Sequence, residues 1–134
     1  DPECAPLAEL ANGRDIYIGT LDESHTVFIL PCWAGAYNFG SKVFVESGGS
    51  FEAVYFADYS GDLGWSGTAT LVNVEFDAAS RQLQSWSKGR GIGDCGSSGL
   101  WEWRDYAFAM VEFRWKGECD EQFDDWPLIY PSQP

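Results

Sequence analysis

The only histidine of the chain is the first candidate for proton-transfer chemistry, because an imidazole titrates near neutral pH. His25 follows Asp22, Glu23 and Ser24. A serine triad would need a further serine brought to this imidazole by the fold, and the sequence has no Gly-x-Ser-x-Gly nucleophile motif. We therefore expect His25 to lie in a solvent-facing turn, and we predict no catalytic residue.

Carboxylate pairs are the second candidate for chemistry. Glu102 and Glu112 fall on predicted neighbouring strands, and two carboxyl groups at close range are the machinery of most glycoside hydrolases. A chain with 21 acidic residues offers such pairs readily without any catalytic role. We predict that the chain is not an enzyme and keep a carboxylate-pair hydrolase as the second alternative function.

Two acidic segments raise the question of calcium. Residues 58–64 (DYSGDLG) and 118–125 (ECDEQFDD) are rich in oxygen ligands. Neither has the spacing of the twelve-residue EF-hand loop with its closing glutamate. A solvated acidic face is the preferred interpretation, with calcium binding left open, and the sequence predicts no metal and no cofactor.

The four cysteines indicate disulfides rather than a zinc site. The chain has no Cys-x-x-Cys pair and only one histidine, which leaves few ligands for a structural metal. An even number of cysteines suits two bridges formed in an oxidising compartment, with three connectivities open. We predict Cys4 with Cys32 and Cys95 with Cys119, because each bridge then closes a loop of about 25 to 30 residues, worth roughly 3 to 4 kcal/mol of chain entropy.

Residues 88–99 (KGRGIGDCGSSG) hold five glycines in twelve positions. Such spacing lets backbone amides form a concave cradle for an anion, with Arg90 beside it. The segment matches neither a dinucleotide-binding nor a Walker motif, because a strand pattern rather than a helix follows it. We expect a glycine-rich bend held by Cys95, and the anion cradle is the alternative.

These residues must be positioned by a mostly β-stranded framework. A short helix is predicted over residues 5–12, ended by Asn12-Gly13. Beyond it, short β-branched and aromatic runs separated by turn signals predict an all-β, or nearly all-β, antiparallel barrel or sandwich of about seven or eight strands. The predicted strands cover residues 15–20, 26–32, 42–46, 51–57, 68–76, 82–88, 100–103 and 106–115.

The most regular of these runs covers residues 107–115. Its period-two pattern predicts a half-buried strand with two distinct faces. One face would carry Phe108, Met110, Glu112 and Arg114, and the other Ala107, Ala109, Val111, Phe113 and Trp115. The tail over residues 127–134, which has three prolines, is expected to run extended over the surface.

Length and charge limit the classes of partner. A chain of 134 residues suits one domain over residues 1–134. Eight basic against 21 acidic residues give a net charge of −13, which excludes nucleic acid and disfavours an anionic membrane surface. A surface of this charge favours solubility or a basic protein partner.

The chain shows no membrane-spanning signal. No apolar run approaches the eighteen or so residues of a membrane helix, and the N-terminus lacks the pattern of a signal peptide. We expect a soluble chain whose precursor carries a signal peptide that is removed or lies outside this sequence.

Seven tryptophans offer either core packing or stacking platforms. Trp101 and Trp103 lie two residues apart, so in a regular strand both point to the same side, and we expect them in the core. If exposed, Trp33, Trp65 and Trp126 would suit sugar stacking.

Several motifs together resemble the bacterial extracytoplasmic proteins of the family named domain of unknown function 1176. The combination is specific although each motif alone is weak, and it covers roughly residues 27–130. The matching residues are Pro31, Cys32, Gly35 to Asn38, Leu71 to Asn73, Phe76, Asp77, Lys88 to Ser97, Trp101, Trp103, Glu112, Cys119 and Asp124 to Pro127.

The resemblance implies a periplasmic or secreted location in bacteria, with disulfides, and it implies no activity. Combined with the charge, it predicts a non-enzymatic binding module that engages or inhibits a basic envelope-active protein. The alternative is a carbohydrate or cell-wall binding module that uses the exposed tryptophans. The predicted binding residues are Trp33, Tyr37, Asn38, Arg90 and Asp94. The last four of these are expected mainly to make hydrogen bonds that hold turns.

Overall fold

The computed structural model of the protein describes residue 4, residues 16–124 and residues 126–132. These residues form twelve strands and no helix, which confirms the all-β prediction and corrects the expected count of seven or eight strands. The predicted helix over residues 5–12 lies outside the described residues. The strands are β1 (Tyr17–Thr20), β2 (Thr26–Ala34), β3 (Phe39–Ser47), β4 (Ser50–Ala53), β5 (Phe56–Ser60), β6 (Gly64–Thr68), β7 (Thr70–Val72), β8 (Glu75–Asp77), β9 (Gln82–Lys88), β10 (Gly96–Arg104), β11 (Ala107–Lys116) and β12 (Leu128–Tyr130).

All the strand pairs described are antiparallel, and they form three sheets. The first sheet has the order β1-β2-β3-β4, with β7 also paired to β3; the second has the order β12-β11-β10-β9-β8. The hairpin β5-β6 stands apart as a two-stranded sheet. Within the described residues no sheet closes on itself, so the barrel alternative is wrong and open antiparallel sheets packed on one another are found instead.

Two predicted strands are each divided in the structure, which raises the strand count. The run 68–76 is interrupted at Asn73, which has φ 49°, so β7 and β8 become separate strands in different sheets. Asparagine tolerates this left-handed conformation better than most residues. The run 51–57 is divided between β4 and β5.

A β-bulge changes the faces of β11. The register steps from the pair Leu100–Glu112 to the pair Trp101–Met110, so Val111 is an extra residue. An extra residue shifts the side-chain alternation by one position. Met110 packs against the core, whereas Glu112 and Arg114 lie on the opposite, outer face, which corrects the prediction of one shared face.

Both five-stranded sheets contribute to one hydrophobic core. Trp101 and Trp103 are buried in it, as predicted. Edge-on ring contacts tie Trp101 to Phe56, at 5.0 Å between centroids, and Trp103 to Phe108, at 5.1 Å. The buried members of the core are Leu21, Val27, Ile29, Val43, Phe56, Leu71, Leu83, Trp101 and Trp103.

Two disulfides are present with the predicted pairing. Cys4 is bonded to Cys32, which lies in β2, and Cys95 is bonded to Cys119. Disulfides are typical of proteins that fold in oxidising, extracytoplasmic compartments. The described residues contain no helix of the length and apolarity that crossing a membrane requires.

The tail that was expected to run extended contains β12. Leu128 pairs with Arg114, and Tyr130 pairs with Phe113, so this segment forms the edge of the second sheet beside β11. It is thereby held against the sheet by backbone hydrogen bonds rather than lying loosely on the surface.

Replacing Leu83 by alanine should lower the free energy of unfolding by about 2–5 kcal/mol, because it removes a fully buried side chain and leaves a cavity. Leu63→Ala is the matched control, since Leu63 is 82% exposed and its loss should cost no more than about 0.5 kcal/mol. Urea unfolding of both variants measures the difference. Equal midpoints for the two variants would contradict the core assignment.

Candidate functional site

The outer face of the second sheet forms the floor of a groove. Trp86 of β9, Ser98 of β10 and Arg114 of β11 are directly opposite one another in the strand register. Gln84, two residues before Trp86, extends the same face. An aromatic ring, a hydroxyl, an amide and a guanidinium therefore lie side by side.

Two irregular segments form the walls of this groove. The loop between β9 and β10 contributes Ile92 and Gly93, and the segment after β11 contributes Phe123, Asp124 and Trp126. The groove has a volume of about 590 Å³, within the range of roughly 300–1,000 Å³ that is usual for ligand sites. Its walls are mainly aromatic or aliphatic, and its floor is mainly polar.

The two walls are fastened to each other by the second disulfide and by one buried carboxylate. Asp94 is completely buried and forms a two-pronged ion pair with Arg90, in which Arg90 Nε lies 2.8 Å from Asp94 Oδ1. Asp94 Oδ2 also accepts a hydrogen bond of 2.7 Å from the backbone N–H of Glu121. Arg90 donates a further hydrogen bond to the carbonyl of Cys119, at 3.2 Å.

This environment stabilises the charged form of Asp94. The hydrogen bond from Arg90 is the largest influence and, together with the backbone N–H of Glu121, holds the pKa of the Asp94 carboxyl well below its usual range, although burial acts in the opposite direction. A charge-assisted, bidentate contact with arginine is among the stronger polar interactions in proteins. Asp94 is therefore an ionised structural link.

A second ion pair folds the segment after β11. Lys116 is nearly fully buried, and its Nζ donates to Asp120 Oδ1 at 2.5 Å and to the carbonyl of Gln122 at 2.7 Å. The hydrogen bond from Lys116 lowers the pKa of Asp120. This pair shapes the chain just before the wall residues Phe123 and Asp124.

Asn38 and Asn73 hydrogen-bond to the backbone of β9 at Trp86 and Lys88, next to the groove. Asn38 Nδ2 donates to the carbonyl of Lys88 at 2.8 Å, and Asn38 Oδ1 accepts from the Lys88 N–H at 3.1 Å. Asn73 Nδ2 donates both to Asn38 Oδ1 and to the carbonyl of Trp86. Tyr37 adds a hydroxyl donor to the carbonyl of Gly89 at 3.3 Å.

Tyr37, Asn38, Arg90 and Asp94 thus each make hydrogen bonds to backbone or side-chain groups beside the groove, and none of the four lines it. The glycine-rich loop is likewise used as a bend. Its amides donate within the loop, from Gly89 to the Cys95 carbonyl and from Gly93 to the Arg90 carbonyl, and Gly93 adopts φ 75°.

Other contacts hold the groove side chains themselves. Lys88 Nζ lies 4.9 Å from the centroid of the Trp86 ring, and Gly93 packs so closely against that ring that a side chain at this position would collide with it. Arg114 is oriented by Glu112, at 3.1 Å, and by a hydrogen bond of 2.9 Å to the Trp126 carbonyl. These contacts hold the Trp86 ring and the Arg114 guanidinium in place without a ligand, which lowers the entropy lost on binding.

The tryptophans named from sequence do not lie together. Trp33 is half-buried and covers Gly40, where any side chain would collide with its ring. Trp65 is exposed but packs against Tyr59 and Phe113. Of the three, Trp126 alone lines the groove.

His25 is not in a solvent-facing turn, which corrects the sequence expectation. Its side chain is only 19% exposed, and its ring lies 5.3 Å from Trp103 and 5.2 Å from Tyr106. Asp22 Oδ1 and Ser24 Oγ both lie within 3.0 Å of the same nitrogen, Nδ1. A serine triad places its carboxylate and its serine on different ring nitrogens, so this arrangement is not one.

Asp22 anchors this loop to the second sheet. Its Oδ2 accepts a hydrogen bond of 2.9 Å from the indole of Trp103. Burial raises the pKa of Asp22, but hydrogen bonds from Trp103, Ser24 and His25 outweigh it and lower the pKa well below the usual range. The cluster therefore joins the β1–β2 connection to β10.

The carboxylates of the predicted pair each lie near an arginine. Glu102 and Glu112 lie on neighbouring strands, as predicted, but each is close to an arginine, at 4.0 Å from Arg104 and 3.1 Å from Arg114. Among the described residues, the only close group of three metal-ligand types is Asp94 with Cys95 and Cys119. Both sulfurs of that group are in the disulfide and are unavailable to a metal.

Of the nine described residues that line the groove, only Trp126 is named from sequence as a stacking side chain, and Trp86 and Phe123 are missed. The period-two alternation of β9 could have indicated that Trp86 points outward, because it puts Trp86 on the face of Gln84 and opposite to Leu83. The structure shows that arrangement, with Leu83 and Ser85 buried and Gln84 and Trp86 exposed. Phe123 lies in an irregular segment, where no periodicity indicates the direction of a side chain.

Comparison with known proteins adds a family and one curated relative. The family model described as protein of unknown function (DUF1176) matches residues 3–133. The chain is also similar to the uncharacterized protein YpfG of Escherichia coli (strain K12), with 26% identity over 122 residues. That match covers 87% of this chain and 35% of YpfG, so the chain spans about a third of the length of this relative. No solved structure matches the chain.

Asn38→Ala should lower the free energy of unfolding by about 1–3 kcal/mol, because it leaves the N–H and carbonyl of Lys88 without their side-chain partner. Gln84→Ala is the control, since it removes an exposed amide from the same region. Thermal unfolding followed by circular dichroism measures both. An unchanged melting temperature for Asn38→Ala would contradict the structural role of this amide.

Acidification should destabilise the protein through Asp94. Because its pKa is lower in the folded than in the unfolded chain, the stabilisation is present at neutral pH and is lost as the pH falls below about 4, where unfolded aspartates gain protons. The difference in unfolding free energy between wild type and Asp94→Asn should therefore shrink from pH 7 to pH 2. Urea unfolding across this range is the measurement, and a difference that grows on acidification would refute the assignment. The lowered pKa values of Asp22 and Asp120 also make the protein less stable in acid. They do so equally in wild type and in Asp94→Asn, so they do not change the difference between the two.

Proposed function

The chain belongs to the DUF1176 family of proteins of unknown function, and we propose that it is a non-enzymatic binding module, periplasmic or secreted, whose groove binds a saccharide. The observation that carries this proposal is the meeting of Trp86, Trp126 and Phe123 around a polar floor in one groove. The two disulfides support the location, because they persist outside the reducing cytoplasm.

Sugars suit this groove because they have both apolar and polar surfaces. The C–H faces of a sugar ring pack on aromatic side chains, and its hydroxyl groups need hydrogen-bond partners. Gln84, Ser98, Arg114 and Asp124 supply donors and acceptors beside the rings. The groove is open to solvent rather than enclosed, so part of a longer chain such as a cell-wall glycan can lie in it.

The rigidity of the groove supports a binding role. Its two walls are joined by the Cys95–Cys119 disulfide and by the hydrogen bonds of Arg90 and Asp94 to the backbone of Cys119 and Glu121, and Trp86 contacts both Lys88 and Gly93. A site that is ordered in the free protein loses less conformational entropy on binding. This arrangement favours recognition of a ligand.

A second candidate function is engagement or inhibition of a basic envelope-active protein. The supporting observation is the distribution of charge. Arg90, Arg104, Arg114 and Lys116 are each paired with a carboxylate of the same chain, while the net charge is −13. Much of the basic charge is thus neutralised internally, and the acidic excess is available to attract a cationic partner.

Trp86→Ala and Trp126→Ala should each weaken binding to insoluble peptidoglycan about tenfold, a loss of roughly 1.4 kcal/mol, in a co-sedimentation assay with the full chain. Trp65→Ala is the matched control, because it removes an exposed tryptophan outside the groove. Stacking should persist in 1 M salt, where the Debye length is about 3 Å. Equal binding by all three variants, or release by salt, would eliminate the saccharide proposal.

A further inference from the structure

A second pocket lies beside the turn between β10 and β11 and has a different chemistry from the groove. Its volume is about 360 Å³. One side is the end of the first sheet at β3 and β4, and the other is the hairpin turn of the second sheet. The pocket is lined by His25, Val45, Ser47, Ser50, Glu52, Ala53, Val54, Tyr55, Trp103, Tyr106 and Phe108.

Aromatic rings form a continuous wall of this pocket. The His25 ring lies 5.2 Å from Tyr106 and 5.3 Å from Trp103, and Trp103 lies 5.1 Å from Phe108. Tyr55 borders the same pocket and is largely exposed. Aromatic rings attract organic cations through the negative charge of their ring faces.

Tyr106 is placed over the pocket at a cost in backbone energy. It has φ 65° and follows Asp105, which has φ 52°, a left-handed pair that hairpin turns normally fill with asparagine, aspartate or glycine. A tyrosine is seldom tolerated there, and its side chain is 72% exposed, so little core packing compensates. Strained residues of this kind are concentrated at ligand-binding sites.

Glu52 brings a negative charge to the same pocket. In the register of β3 and β4 it is directly opposite Val45, which packs against the core. Directly opposed residues have their side chains on the same face of a sheet, so Glu52 is on the core-facing side of the edge strand β4. In the described part of the chain, none of the ion pairs involves Glu52.

Aromatic faces together with one carboxylate are suited to a cation that is partly hydrophobic. We infer that this pocket takes up a lysine or arginine side chain presented by a basic partner protein, an inference that rests on the second candidate function above. The affinity of a partner with several basic residues is raised both by the pocket and by the net charge of −13. The affinity of a small monovalent cation is raised mainly by the pocket.

The test uses the full chain and a capped twelve-residue peptide with five lysines, with a matching arginine peptide and a glutamate peptide as the negative control. Isothermal titration measures affinity, and amide chemical shifts report the location. We expect the basic peptides to shift the signals of His25, Glu52 and Tyr106, and Glu52→Gln to weaken binding about tenfold. Glu75→Gln is the matched control, since it makes the same charge change at an exposed site on β8 and should weaken binding less than twofold.

Tyr106→Asn separates binding from folding. Asparagine accepts the left-handed backbone more readily than tyrosine, so this variant should be at least as stable as the wild type and yet lose most of its affinity for the basic peptides. Unchanged affinity in both Glu52→Gln and Tyr106→Asn would overturn the pocket while leaving a diffuse acidic surface as the second candidate function. No binding of the basic peptides to the wild type would overturn both, and tetramethylammonium binding as tightly as the peptides would overturn the protein partner.

Discussion

The buried Asp94 carboxylate is the constraint on which the candidate groove depends. A charge without solvent must be paired or it destabilises the fold by several kcal/mol, and here Arg90 and the backbone of Glu121 supply the partners. These two partners belong to the two walls of the groove. Satisfying one carboxylate therefore fixes the distance between the walls, and the adjacent disulfide keeps that distance when the chain fluctuates.

The bulge at Val111 lets the strand pair β10–β11 contribute both to the core and to the groove. On one side of the bulge, Met110 and Phe108 of β11 face the core opposite Trp101 and Trp103 of β10. On the other side, Arg114 faces outward into the groove. A strand without the bulge would have to bury the guanidinium of Arg114 or expose the apolar residues, and either choice is costly. The irregularity thus allows a packed core and a polar groove floor on the same two strands.

The two pockets differ in the ligand chemistry that they favour. The groove combines tryptophans with neutral and charged hydrogen-bonding groups, whereas the pocket near His25 combines aromatic rings with the Glu52 carboxylate. Both are built at positions where loops meet the ends or the outer face of a sheet, and rigid scaffolds commonly present binding residues in this way. The strong negative charge of the chain acts on the approach of any charged ligand to either site.

The sequence by itself determined the all-β class, the presence of two disulfides with a preferred pairing, and the burial of Trp101 and Trp103. These follow from local alternation and cysteine spacing. Only the tertiary structure decided the open sheets, the partial burial of His25 and the meeting of Trp86 with Trp126. Those features depend on strand register, on the bulge in β11 and on contacts between residues far apart in the chain, and a period-two pattern is the same whichever strand it pairs with.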